Sequence, residues 1–238
     1  MNMFHIKLAG RVIGIRCHHD FAVQACENYK DTSTETDFSV CVTEAEVDEE
    51  LRHAEFPVSA DYAEFICLYR KIAEQLPRYH CAVLHGAAIS YKDSGLLFVA
   101  PSGTGKSTHI RLWKQVFGED VGIINGDKPI VSVHGGAVTV HGTPWAGKEN
   151  WNKNRQAPLK AICIITRSQQ NWIRKVNPQE HLPLLLRQVY LPQDPDSVKL
   201  TLALFNELLE KVPVYILGCD ISQAAAITAC QGIIEHLS

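Results

Sequence analysis

Residues 100–108 read APSGTGKST, standing between an apolar run, GLLFVA, and a stretch of helical spacing that begins at Lys106. No other segment restricts the fold so tightly, because strand, glycine loop and helix N-terminus must follow in that order. Glycine at 103 and 105 lets the backbone take positive φ and turn its N–H groups inward, onto the positive end of the helix dipole. Such a loop holds a chain of phosphates without many side chains. Lys106 has the reach for the terminal phosphates and Ser107 carries a hydroxyl suited to Mg2+. The spacing therefore predicts that Ser102, Gly103, Thr104, Gly105, Lys106, Ser107 and Thr108 bind a nucleoside triphosphate with its magnesium. The pattern departs from GxxxxGK[ST] only at its first position, where Ala100 stands.

The rest of the chain supplies strands for that loop to sit among. Upstream, β-type runs at 4–8, 11–17 and 38–42 flank a polar loop at 28–37. Tyr62, Phe65, Ile66, Tyr69, Ile72, Ala73 and Leu76 then recur every three or four positions, with Ser59 placed to cap and Pro77 to stop. That periodicity predicts a helix of about 17 residues. Apolar runs at 82–84 and 95–100 lead into the loop, and a helix is expected over 106–117. Beyond it, β-type runs at 121–124, 130–133, 137–140 and 160–166 come with few long helices between them, which predicts a mixed sheet rather than regular strand–helix alternation. Helices are expected at 178–189, 198–210 and 222–237, with Ser222 as a cap, and a strand at 214–217. The fold class expected is α/β, a mixed-sheet phosphate-loop core over 79–238 with a small N-terminal α+β module over 1–78.

Composition narrows the function classes. The 238 residues are 46% hydrophobic, enough for a sizeable core, and the formal net charge of -3 gives no reason to expect nucleic acid or an anionic membrane as partner. No run approaches the roughly 20 apolar residues of a membrane span, and MNMFHIKLAG lacks the plan of a signal peptide, so a cytoplasmic location is expected. The eight cysteines stand singly with no CxxC pair, which favours small buried side chains in a reducing compartment over zinc or disulfides.

Transfer of a phosphoryl group also needs a carboxylate near the metal and a group to take the acceptor's proton. Asp127, in VGIINGDKP, follows an apolar run and so falls at a strand end, although NGD is also turn chemistry. His85, in AVLHGAA, is the second candidate, against the commoner structural role of a lone histidine. The turn HGTPWAGKEN, residues 141–150, offers an exposed Trp145 with Lys148 and Glu149 as ligand contacts. Lys153 and Arg155 follow in a polar segment that reads as a lid or as a solvated loop.

Together, HGAAI at His85, SGTGKST at 102–108, NGDKP around Asp127 and HGTPWAGK at 141–148 resemble the HPr kinase/phosphorylase and PEP carboxykinase superfamily, in order and spacing, over roughly residues 80–235. The likeness is nearest to short bacterial HPr-kinase-like proteins of peptide-modification gene clusters, some of which phosphorylate a serine of a precursor peptide. It implies ATP and Mg2+ as cofactors, Lys106 on the β- and γ-phosphates, Ser107 and Asp127 on the metal, and His85 beside the reacting phosphate. It also implies a peptide or small-protein hydroxyl as acceptor, and leaves homo-oligomerisation open. One departure is specific: the family pattern has two adjacent acids where this chain reads Gly126-Asp127. A nucleotide-binding sensor or maturation partner without turnover therefore stands as an alternative, as does a kinase for a small hydroxyl metabolite such as free serine.

Overall fold

The computed structural model describes residues 1–54 and 56–234. The chain opens with a hairpin of β1 (Asn2–Leu8) and β2 (Arg11–Cys17), whose two-residue turn puts Ala9 and Gly10 at φ of 48° and 79°. Positive φ at both turn residues matches the twist of the paired strands. Then come α1 (Asp20–Ala25), β3 (Lys30–Asp31), β4 (Phe38–Cys41), α2 (Glu44–His53) and α3 (Ala60–Gln75). The strands form a four-stranded sheet in the order β3-β1-β2-β4, with β4 parallel to β2. The α3 helix buries Phe65, Ile72 and Ala73, as the periodicity predicts, and also Ala63 and Leu68, which the periodicity does not mark, while Tyr62 is exposed. Pro77 does not stop that helix abruptly, since the chain runs on into a 3-10 turn over Leu76–Tyr79. Neither α1 nor α2 is in the sequence reading, although α2 carries a capping box, Thr43 with Glu46, that T-E-A-E spells out.

The remaining elements are β5 (Cys81–Val83), β6 (Ala87–Tyr91), β7 (Ser94–Val99), α4 (Lys106–Phe117), β8 (Val121–Asn125), β9 (Ile130–His134), β10 (Ala137–His141), β11 (Gln156–Arg167), β12 (Trp172–Val176), α5 (Leu182–Leu186), α6 (Pro195–Lys211), β13 (Val214–Cys219) and α7 (Gln223–Ile234). The expected continuation of the last helix to Leu237 lies outside the described residues. A nine-stranded mixed sheet runs β5-β9-β10-β11-β7-β6-β8, with β13 on β11 and β12 on β13. The parallel neighbours in this sheet are β7 with β11 and β11 with β13, and the carboxyl ends of these three strands share one border. The long β11 makes the curl: Gln156, Ala157 and Pro158 pair with β10, and after an irregularity at Leu159/Ala161 the strand lies between β7 and β13.

One face of this sheet packs Val99, Ile164 and Ile216 against Leu204, Phe205 and Leu208 of α6, and the other packs Phe98, Cys163 and Leu217 against α4 and α7. Seven of the eight cysteines are buried and all are free thiols. Among the described residues no helix is long and apolar enough to cross a membrane.

One expectation for the middle of the chain is corrected. Trp145 is 5% exposed, not a surface contact. Its indole stacks on Phe65 at 5.1 Å and 23°, and Nε1 donates to the Phe65 carbonyl at 2.9 Å. An apolar ring that large gains more from the N-terminal core, which it joins along with Cys81, Val83 and Ile130, than from water. The Trp145→Ala variant is expected to lose roughly 3–5 kcal/mol of stability, measured as the urea unfolding midpoint. The polar segment holding Lys153 and Arg155 has its backbone laced down: Lys153 N donates to Ile124 O, Gly142 N to Arg155 O, and Gly126 N to Trp151 O. The helix expected at 178–189 is also broken. A 3-10 turn over Pro178–His181 precedes the short α5, and Val189 bridges to Leu84.

Candidate phosphate-binding site

The strand β7 delivers the chain to a buried Ala100, and the exposed Pro101, Ser102 and Gly103 turn it back into α4. Gly103 has φ of 75° and Gly105, the N-cap of α4, has φ of 120°. A Cβ at either would meet nothing within 4 Å, so glycine is needed for conformation rather than for space. No side chain caps α4 and its first turn holds no acid. The free N–H groups of that turn are thus directed at the loop, and nothing negative competes for them. Ala100 takes the place of a glycine at the motif's first position without strain, as an apolar residue of the α4-side core.

Lys106 opens α4 and folds back over the loop, its Nζ donating to the Ala100 carbonyl at 3.0 Å and lying 3.4 Å from His85 Nε2. That same His85 nitrogen is 3.2 Å from Asp127 Oδ1, and Lys128 Nζ is 3.8 Å from Asp127 Oδ2. Lysine, histidine and carboxylate thus converge beside the loop. Burial lowers the Lys106 pKa from its ordinary value, opposed by the nearby Asp127 charge. For Asp127 burial pushes upward, but the hydrogen bond from His85 and the charges of Lys128, His85 and Lys106 outweigh it, and the carboxyl stays below its ordinary range.

The backbone explains why these groups meet. Asn125, fully buried at the end of β8, accepts the N–H groups of Asp127 and Lys128 on its Oδ1 at 2.8 and 2.7 Å. Its Nδ2 donates to the carbonyls of Thr143 and Trp145 at 3.0 and 3.2 Å. Gly86 N donates to Asp127 O at 3.0 Å, and His85 N to Gln188 O at 2.6 Å. NGD is therefore both a turn and the support of the carboxylate, so the two readings of that tripeptide are compatible.

Other residues of the neighbourhood divide. Gly147 approaches Asp127 closely, since a Cβ there would lie 3.1 Å from Asp127 Cβ. Lys148 is exposed, and Glu149 is paired with Arg111 of α4. Gly126 lies beneath the same turn, where a Cβ would stand 3.2 Å from both Ala146 O and Trp151 Cβ. A side chain at that position would ask Ala146 and Trp151 to give by a few tenths of an ångström. Sequence reasoning missed Asn125, Lys128 and Arg167. The last, from the end of β11, donates through Nη2 to Gly103 O at 2.7 Å and so braces the loop. No motif marks Arg167, whose role arises only from the sheet order.

Among the described residues no cluster of three His, Cys, Asp or Glu side chains is placed to hold a metal alone. Magnesium carried by a triphosphate does not require one, because phosphate oxygens and waters fill most of its octahedron. A hydroxyl such as that of Ser107, half-buried in the first turn of α4, and one carboxylate suit it chemically.

A family model described as ScmC, SynChlorMet cassette protein ScmC, matches residues 61–226, and the chain belongs to that family. No curated protein matches it. Among solved structures, the Hpr(Ser) kinase/phosphatase from Coxiella burnetii is similar at 9% identity and a TM-score of 0.39, covering 65% of this chain and 95% of that one. A likeness that weak carries no part of the functional argument.

Proposed function

We propose that this ScmC-family chain is an ATP-dependent phosphotransferase that moves the γ-phosphate to a serine hydroxyl of a peptide or small protein. The observation that carries the reading is the convergence of Lys106 Nζ, His85 Nε2 and Asp127 Oδ1 beside a glycine loop at an uncapped helix N-terminus. Phosphoryl transfer asks the protein chiefly for positioning and for charge directed at the transferred group. The loop amides and Lys106 supply that charge, and residues 102–108 hold the triphosphate. Ser107 and Asp127 would hold Mg2+, which neutralises phosphate charge when bound. Asp127, ionised at neutral pH and oriented by His85, takes the proton of the incoming hydroxyl. The His85 and Asp127 side chains are 30% and 28% exposed, an open setting that suits a hydroxyl carried on a polypeptide better than a free metabolite.

The test is transfer of label from γ-labelled ATP with Mg2+ to peptides encoded in the same cassette, followed together with ADP release. Label on a peptide serine supports the reading, and label only on free serine replaces the acceptor. A second reading, a nucleotide-binding partner without turnover, is favoured by Gly126, and tight ATP binding with neither label nor ADP would establish it. Arg167→Ala is expected to weaken ATP binding about tenfold through loss of the charge-assisted brace on Gly103 O, measured by calorimetry.

A further inference from the structure

A cavity of about 760 Å³ lies between β4, α2, α3 and the 190–194 segment, away from the phosphate loop, and neither Lys106, His85 nor Asp127 lines it. Ser39, Val40 and Cys41 of β4 line it in succession. Consecutive strand residues point their side chains to opposite faces, so a cavity that touches three in a row runs along the edge of the strand and not over one face. That edge is the open one. On its other side β4 pairs with β2, and among the described residues it has no further neighbour in the sheet.

The direction of the backbone groups follows from the register. Val12 O accepts from Asp37 N at 2.8 Å, so the alternate residues that follow on β2, Gly14 and Arg16, turn their own N–H and C=O groups towards β4. Gly14 stands opposite Ser39 and Arg16 opposite Cys41 in a parallel pair, and in that pattern their bonds reach Phe38 and Val40. Ser39 and Cys41 therefore hold their N–H and C=O groups out, along the cavity. Such an edge is a template for another strand.

The facing wall is acidic. Its cations, Arg70 and Lys71 of α3, are already paired with Glu50 and Glu46 of α2. Glu49 and Asp194 face Arg52 and Arg78, which lie outside the cavity. Glu74, one turn beyond Arg70, has no cation within ion-pair distance among the described residues, and its carboxylate accepts the Tyr190 hydroxyl at 3.0 Å and Gln193 N at 3.0 Å. The end of the cavity at Tyr190 adjoins the phosphate site. Tyr190 N donates to Val83 O, Val189 bridges to Leu84, and His85 N donates to Gln188 O, so the strip that closes the cavity also holds His85.

We propose that the acceptor polypeptide docks in this groove as an added strand, an extended segment that pairs with the Ser39 and Cys41 backbone groups on the open edge of β4 and sets a Lys or Arg against Glu74. Main-chain bonds give an added strand its affinity, and the acidic wall selects a basic segment. That the segment belongs to the acceptor rests on the phosphotransfer reading above, and the experiment separates the two. Short fluorescein-labelled peptides tiling those encoded in the same cassette are titrated into the full chain by fluorescence anisotropy, with MgATP affinity measured by calorimetry. A tile carrying Lys or Arg is expected to bind and to slow amide exchange at Ser39 and Cys41. Cys41→Pro removes one outward N–H and spares the bonds to β2, as proline on an edge strand allows. It is expected to weaken that tile about tenfold and leave MgATP unchanged. Glu74→Gln keeps an oxygen for Tyr190 and Gln193 and removes the charge. It is expected to weaken the same tile about fivefold, a difference that high salt erases, and it serves as the test if the proline variant fails to fold. Binding of no tile, or a tile affinity untouched by both variants, overturns the docking edge even where label reaches a peptide serine. A tile that binds and is weakened by both variants, in a chain that transfers no label, keeps the docking edge and overturns the phosphotransfer reading.

Discussion

The Lys106→Ala variant is expected to bind MgATP about a hundredfold more weakly than the wild type and to transfer no measurable phosphate. Its unfolding midpoint should not fall. The ammonium is half-buried, and its contacts are a carbonyl at 3.0 Å and an imidazole at 3.4 Å, neither of which carries the negative charge its own demands. A phosphate does. Charged hydrogen bonds contribute about 1.5–3 kcal/mol each, and at 1.4 kcal/mol per tenfold one or two of them give the loss expected. Stability follows from the sign of the pKa shift. Burial lowers the Lys106 pKa in the folded chain. The charged form is therefore disfavoured by folding, a cost fully present below the folded pKa and lost as pH rises through the unfolded value. Removing the ammonium at neutral pH relieves that cost. ATP affinity unchanged in this variant would sink the phosphate-loop reading, and a large fall in the urea midpoint would show Lys106 to be structural.

What the sequence makes legible here depends on whether the physical cause is local. The loop is legible because φ at Gly103 and Gly105, the helix start at Lys106 and the apolar run of β7 are properties of adjacent residues. Asp127 and His85 are legible as candidates because each ends an apolar run, but their meeting at 3.2 Å depends on Asn125 fastening the 126–128 turn to residues 143 and 145, which no local pattern encodes. Trp145 fails for the same reason: its neighbours Gly142, Pro144 and Gly147 read as a surface turn, whereas the partner that buries it, Phe65, lies eighty positions away. Arg167 is a further case, at the end of a strand that reaches the loop only because β11 lies beside β7. The Ala87–Tyr91 strand, AAISY, is missed because two alanines carry little β preference, and pairing with β7 on one side and β8 on the other supplies it instead.

Asp127→Asn is the sharper test of chemistry. Transfer in a single turnover is expected to fall by about 10²–10⁴-fold, the usual worth of a positioned base, while the MgATP dissociation constant rises less than about tenfold. Asparagine keeps the volume and an oxygen for His85, and the turn does not depend on the side chain, because Asn125 holds the Asp127 and Lys128 amides and Asp127 O accepts from Gly86 N. What is lost is charge and the ability to accept a proton. Because the Asp127 carboxyl is held below its ordinary range, it is ionised throughout the neutral region, and its favourable contribution to stability is present above the unfolded carboxyl pKa and lost only as pH falls through the folded one. Acid inactivation that begins near neutrality in the wild type must then come from another group. An unchanged transfer rate in Asp127→Asn would leave His85 as the proton acceptor and remove the carboxylate from the mechanism. Equal losses of transfer and of ATP affinity would make Asp127 a binding residue alone. Loss of rate at nearly constant affinity is the outcome that makes Gly126 tolerable, since it means that one carboxylate, oriented by His85, does the work for which the resembling family pattern has two.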